Sequence, residues 1–282
     1  MSNFEVKFII DGREVSQAEI RKVELQRYKK VLFELFEHGV TPTLNGIELS
    51  NECIDTIELE KAREALAQTK EKLGKEGIYN LYKKELEESD KMWHEIAANS
   101  KTRENLQPGV VEVEVKGLNL QQFAAFNHSI DASNSLAMPS KIHPEHYSFE
   151  SFPGGQIIIE TFGMYKYPSY LKLEMLTPEE GFMPITQDPD TAMVMMGTTR
   201  LMSDGTDTKI IGMHQFKPCE EGIKIKLGVF LPEAAPKEIV EGHKWHLAVE
   251  FNNAVHFAGE MEELKDENKR LREQLDKLKS IK

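Results

Sequence analysis

The 282-residue chain has little cysteine, no excess of basic charge and no long apolar run. Its two cysteines, Cys53 and Cys219, are far apart and show no CxxC spacing. That excludes a disulfide framework and a thiolate zinc knot, and both read as reduced thiols. No apolar stretch approaches the roughly 20 residues needed to span a bilayer. The first residues, MSNFEVKFIIDGREV, lack a basic segment followed by an apolar core, so no secretory signal is expected and the expected location is cytoplasmic. Lysine and arginine number 35 against 47 acidic residues, a formal charge of -12. Such a deficit argues against a phosphate backbone as the main partner. What remains is ordinary for a soluble globular protein: 40% hydrophobic and 29% charged residues, with length for one large domain or two modest ones.

Taken in order, residues 1–108 predict a mainly helical N-terminal domain. Asn3–Ile10 reads as a short strand turned by Asp11-Gly12. Ser16–Phe36 reads as a helix with a capping box, Ser16 to Glu19. Ser50–Leu73, closed by Gly74, and Glu76–Asn99 are two more helices. His38 and His94 sit in amphipathic surroundings and read as surface or packing residues. At Gln107-Pro108-Gly109 the texture changes. VVEVEVKGL alternates with Val111, Val113 and Val115 on one side, a half-buried strand. LNLQQFAAFNHSI is a helix, SKIHPEHYSFESFPGG a turn-rich passage. Strands are predicted at Gln156–Phe162, Ser169–Leu176, Ala192–Leu201, Thr208–Lys217 and Ile223–Leu231. A long helix follows Pro236. The expected fold class is α+β: residues 109–260 form a curved antiparallel sheet gripping a long C-terminal helix, with a cavity between them.

The stretch EGHKWHLAVEFNNAVHFAGE carries the strongest chemical signal. Helical winding places Leu247, Phe251, Ala254, Phe257, Ala258 and Met261 on one apolar face, and His243, His246 and Glu250 on the same face. A histidine and a carboxylate four residues apart can reach one point. Burying both costs several kcal/mol unless something compensates; a divalent metal would, and so would a buried ion pair. His128, on the helix entering the sheet, and Glu160, within QIIIETF, could join them, although in isolation Glu160 reads as an exposed strand residue and His128 as a helix-end residue. Two imidazoles and two carboxylates neutralise a divalent ion. Zn²⁺ suits them with an added water as the reactive group, and Fe²⁺, Mn²⁺ or Co²⁺ are possible by ligand type.

The succession FNHSID, HPEHY, IIIETFG, PEEGF, MHQFKPCEEGIKIKLGVF and HLAVEFNNAVHFA resembles the diacetylphloroglucinol hydrolase and phloretin hydrolase family over roughly Val110 to Phe257. The resemblance implies a helix-grip (Bet v 1-like) domain and zinc held by His128, Glu160, His246 and Glu250. It implies a strand histidine near the substrate at His214, acting on protons. His143 and His146 would shape the pocket, and Tyr147 would donate to a phenolic oxygen. Phe126-Asn127 stands where the family carries paired tryptophans, a difference in the pocket rather than in the metal set. The implied activity is hydrolysis of the aryl–acyl carbon–carbon bond of an acylated phloroglucinol. The contrasting expectation is a helix-grip protein that binds an aromatic polyketide or flavonoid without cleaving it.

The extension at 261–282, MEELKDENKRLREQLDKLKSIK, repeats Met261, Leu264, Asn268, Leu271, Leu275 and Leu278 at alternating spacings of three and four. That is a short heptad seam, with Asn268 at a position that favours two parallel strands. It predicts a homodimer, unless the seam packs on the helical half of its own chain.

Overall fold

The computed structural model describes residues 4–133, 135–177 and 182–280. Of the motifs above, Pro178–Gly181 of PEEGF lie outside the described residues, as do the side chains of Leu275 and Leu278. The chain opens with β1 (Glu5–Ile10) and β2 (Arg13–Val15), then α1 (Gln17–Glu37). A small hairpin, β3 (Thr43–Leu44) and β4 (Ile47–Glu48), precedes α2 (Asn51–Thr56), α3 (Leu59–Leu81) and α4 (Lys83–Asn99). After β5 (Gln107–Lys116) come α5 (Leu120–Ser133) and α6 (Ala137–Ile142). Then follow β6 (His146–Phe152), β7 (Gly155–Thr161), a 3-10 turn at Phe162–Met164, β8 (Pro168–Leu176), β9 (Met193–Leu201), β10 (Asp207–Cys219) and β11 (Gly222–Leu231). The last element is α7, a single helix over Lys237–Ser280.

Nine strands make one antiparallel sheet in the order β2-β1-β5-β11-β10-β9-β8-β7-β6. The alternating valines of β5 and Ile225, Leu227 and Val229 of β11 turn one face towards α7. There Leu247, Phe251, Ala254, Val255 and Ala258 meet them in the main core. The expected boundary near residue 108 falls inside this sheet and this core. β1 pairs with β5, and Phe8, Ile10, Trp93 and Ile96 pack in the same cluster as Val113 and Leu247. A second core joins Tyr28, Leu32, Leu66, Ile78 and Tyr82 of the N-terminal helices to Tyr147 and Ile159. Ile158 and Ile159 point to opposite faces, so β7 is covered by apolar side chains on both sides.

Local signals hold in α1, where Ser16 and Glu19 cap each other reciprocally. The helix expected to end at Gly74 does break there: Gly74 is non-helical, with φ of 67°, and a second helical stretch runs on to Leu81. Among the described residues, no helix is long and apolar enough to cross a membrane.

The first turns of α7 lie directly against the 3-10 turn after β7. A Cβ on Gly242 would stand 1.7 Å from the Gly163 carbonyl oxygen, and one on Gly163, at φ of 66°, would stand 2.1 Å from the Ile239 oxygen. Only two glycines allow this approach. Gly242→Ala is expected to lower stability by about 3 kcal/mol, read from urea denaturation; a loss under about 0.5 kcal/mol would show that α7 can move away freely.

Candidate metal centre

Three elements deliver side chains to one point. On α7, His246 and Glu250 stand one turn apart, and Glu250 Oε2 lies 3.8 Å from His246 Nε2. From β7, Glu160 Oε2 lies 3.7 Å from the same nitrogen. β6 supplies His146, whose Nε2 is 3.1 Å from His246 Nε2 and 3.6 Å from Glu160 Oε2. His146 arrives there through a β-bulge. The pairing runs His146↔Glu160 and then Ser148↔Ile159, leaving Tyr147 as the extra residue. An unbroken ladder would set Tyr147 opposite Glu160 and turn His146 to the other face. The trio His146, Glu160 and His246 has separations of 3.1 to 3.7 Å, near the edge of about 3.3 Å between donors that share one metal ion, and Glu250 stands beside them at 3.8 Å from His246.

The point is poor in water. The His246 side chain is 1% exposed, His146 5%, Glu160 11% and Glu250 28%, so access runs past Glu250. Burial drives the His146 imidazole down to about 3 and that of His246 well below its usual 6.5, so both are neutral lone-pair donors. Burial, and then the neighbouring Glu250, push the Glu160 carboxyl up to about 8; burial lifts Glu250 to about 7. Each shift has the same leading cause, loss of water from a charged form.

His143 completes a buried cluster with His146 and His246, whose ring nitrogens lie within 4.8 Å of one another and which could hold a metal ion. Its place differs from that of the other two. His143 Nδ1 accepts a hydrogen bond from the Glu145 backbone N–H at 3.1 Å, which leaves the proton on Nε2. That Nε2 is buried and has no hydrogen-bond partner. The His143 ring stacks on His246 at 3.7 Å between centroids, and His243 stacks on its other face at 4.7 Å. His243 rests in turn on Phe162 at 4.4 Å. This column of rings fixes the rotation of His246.

The N-terminal helices hold the HPEHY turn from outside. The buried Lys70 ammonium of α3 donates to the carbonyl oxygens of Pro144 and His146, at 2.6 and 2.9 Å. Arg27 of α1 pairs with the fully buried Glu145, and Lys30 stands 3.6 Å from it. Tyr28 donates to the carbonyl oxygens of Ser140 and Lys141, each at 2.8 Å.

Of the residues expected from sequence, Glu160, His246 and Glu250 converge, and His146 and His143 adjoin them. His128 does not. It lies exposed on α5, and His146 stands where an imidazole donor was expected from it. Tyr147 is buried but faces away, donating to Glu34 at 2.6 Å with its ring against Tyr82 at 4.7 Å. It is a link to the N-terminal half. His214 is half-buried on β10, accepts from the Gly228 N–H on Nδ1 at 3.3 Å, and packs edge-on against Phe251 at 5.5 Å. Burial pushes it down to about 4. Lys70, Arg27 and the bulge carry no sequence signal of their own. A surface cleft of about 340 Å³, lined by α4 and Tyr165–Tyr167, holds none of the histidines.

No family model and no curated protein matches the chain, so the centre is read from its own geometry.

Five histidines here (His143, His146, His214, His243 and His246) are held below the ordinary 6.5 by burial. Below that pH the unfolded chain binds more protons than the folded one, so stability falls as pH drops. The urea midpoint of metal-free protein should decline from about pH 6.5 to about pH 5; a flat profile would contradict the burial of these rings as neutral groups. Lys70→Met strips two buried carbonyls of their donor and should cost about 2 kcal/mol, measured by the same denaturation.

Proposed function

We propose that this protein is a zinc-dependent hydrolase that cleaves the aryl–acyl carbon–carbon bond of an acylated phloroglucinol, of the phloretin or acetylphloroglucinol type. The carrying observation is the convergence of His146, Glu160 and His246 on one water-poor point with separations of 3.1 to 3.7 Å, with Glu250 beside it at 3.8 Å from His246. Two neutral imidazoles and two carboxylates match zinc in charge and donor type. They also explain why two carboxylates are buried together, since a cation offsets the desolvation that raises their pKa. The long antiparallel sheet packed on one C-terminal helix supports reading the fold as a helix-grip domain. The motif order supports the hydrolase family, with His146 taking the ligand role that the resemblance gave to His128.

A zinc ion held there would supply a Lewis acid and acidify a water to near neutral pH. The residues do the rest. Glu250, the most exposed of the four, stands where water enters and orients it. Water oxygen joins the acyl carbon, the bond to the ring carbon breaks, and its electron pair passes into the ring as an enolate. A phloroglucinol ring can carry that charge because it ketonises. The ring carbon then takes the proton released by that water, leaving a phloroglucinol and a carboxylic acid. His143 and His214, each fixed with its proton on Nε2 by a backbone N–H on Nδ1, serve as donors to carbonyl or ring oxygen. A flavonoid carrier without catalysis would have no use for the four-donor set.

Purified protein should hold about one equivalent of zinc. His146→Ala and Glu160→Ala should each lose it, and His128→Ala should keep it. Retention by His146→Ala with loss by His128→Ala would overturn the ligand set. Incubation with acylphloroglucinols should release free phloroglucinol and the carboxylic acid. A fully zinc-loaded protein that binds such compounds without releasing either product would be the carrier instead.

A further inference from the structure

Beyond the fold, α7 continues alone. Every residue from Glu263 to Gln274 is exposed, Leu264 to 60% and Leu271 to 54%. The N-terminal helices therefore do not cover the seam over this stretch. We infer that the seam is covered by the same stretch of a second copy of this chain, running parallel and in register, as a two-stranded coiled coil.

Charge complementarity selects that occupant. With Met261, Asn268 and Leu275 at a positions and Leu264, Leu271 and Leu278 at d positions, the flanking g positions are Glu260, Glu267 and Gln274. The e positions are Lys265, Arg272 and Lys279. In a parallel in-register pair each g residue faces the e residue five places on in the other copy. Glu260 then meets Lys265, and Glu267 meets Arg272, twice each by symmetry. In an antiparallel pair g faces g and e faces e, so glutamates oppose glutamates and cations oppose cations. Asn268 adds a second selection, because it meets its own counterpart only in the parallel register. Lys265 pairs with Glu262 at 2.6 Å within one chain, an exposed contact that is readily exchanged.

The seam is short, and a free peptide of this length would barely hold a helix. Here the helix is already built, since α7 is nucleated on the sheet and runs unbroken to Ser280. Association therefore orders side chains only. Met261, half-buried against the main core, ties the start of the seam to the fold.

The test is sedimentation equilibrium of the full chain and two variants. The native chain should be a dimer at tens of micromolar. Glu267→Lys sets lysine against Arg272 twice and should raise the dissociation constant about tenfold. Adding Arg272→Glu to Glu267→Lys restores opposite charges and should return it to near the native value. A monomeric native chain, or a trimer or tetramer, overturns the proposal. So does failure of the double variant to recover, the result expected of an antiparallel pair. Zinc content of all three should be equal, which keeps this outcome separate from that of the metal centre.

Discussion

Two carboxylates and two imidazoles occupy one point where water is scarce, and the rest of the chain is arranged to hold them there. Each group is pushed towards its neutral form by burial, Glu160 and Glu250 upward and His146 and His246 downward. Apolar residues of the same volume would pack in this place at lower cost. A divalent cation would reverse the sign of the problem for the two carboxylates, favouring their charged form, and would bind the imidazoles in the neutral form that burial already leaves. Seen this way, the ring column of His143, His246, His243 and Phe162 and the glycine contact under α7 have a common role. They limit how far the donors can rotate or separate.

The N-terminal half is part of that arrangement. Its strands extend the sheet and its helices form a second core on the far face of β7. Lys70, Arg27 and Tyr28 then grip the main chain or side chains of residues 140–146, the segment that delivers His143 and His146. Such supports orient metal ligands without touching the metal. The helical half thus stands behind the site as a backing layer.

Sequence pattern made most strands and α7 legible, because period-two alternation in β5 and β11 and helical spacing in α7 follow directly from burial on one face. His246 and Glu250 are legible for the same reason, as polar residues interrupting an apolar face, whereas Glu160 alone reads as an exposed strand residue and stands out only through the resemblance. The turn-rich passage around HPEHY concealed β6. Its bulge breaks the alternation at Tyr147, so no periodic reading places His146 beside Glu160 and Tyr147 on the opposite side. His128 had the right residue type on a helix leading into the sheet, but helix rotation depends on packing partners distant in sequence. Lys70 was equally hidden: a lysine in an amphipathic helix reads as solvated until the two carbonyls above it are known.

The four donors come as two rigid pairs. A strand ladder fixes His146 against Glu160, and one helical turn fixes His246 against Glu250. What can vary is mainly the gap between sheet and helix, and Gly163 and Gly242 pin that gap about 6 Å along the axis from His246. In mechanical terms the centre is a clamp with one adjustable jaw. The spacing within each pair is set by its own element, so only a shift of α7 against the sheet changes the distance between the pairs, and the close glycine contact leaves that jaw little travel.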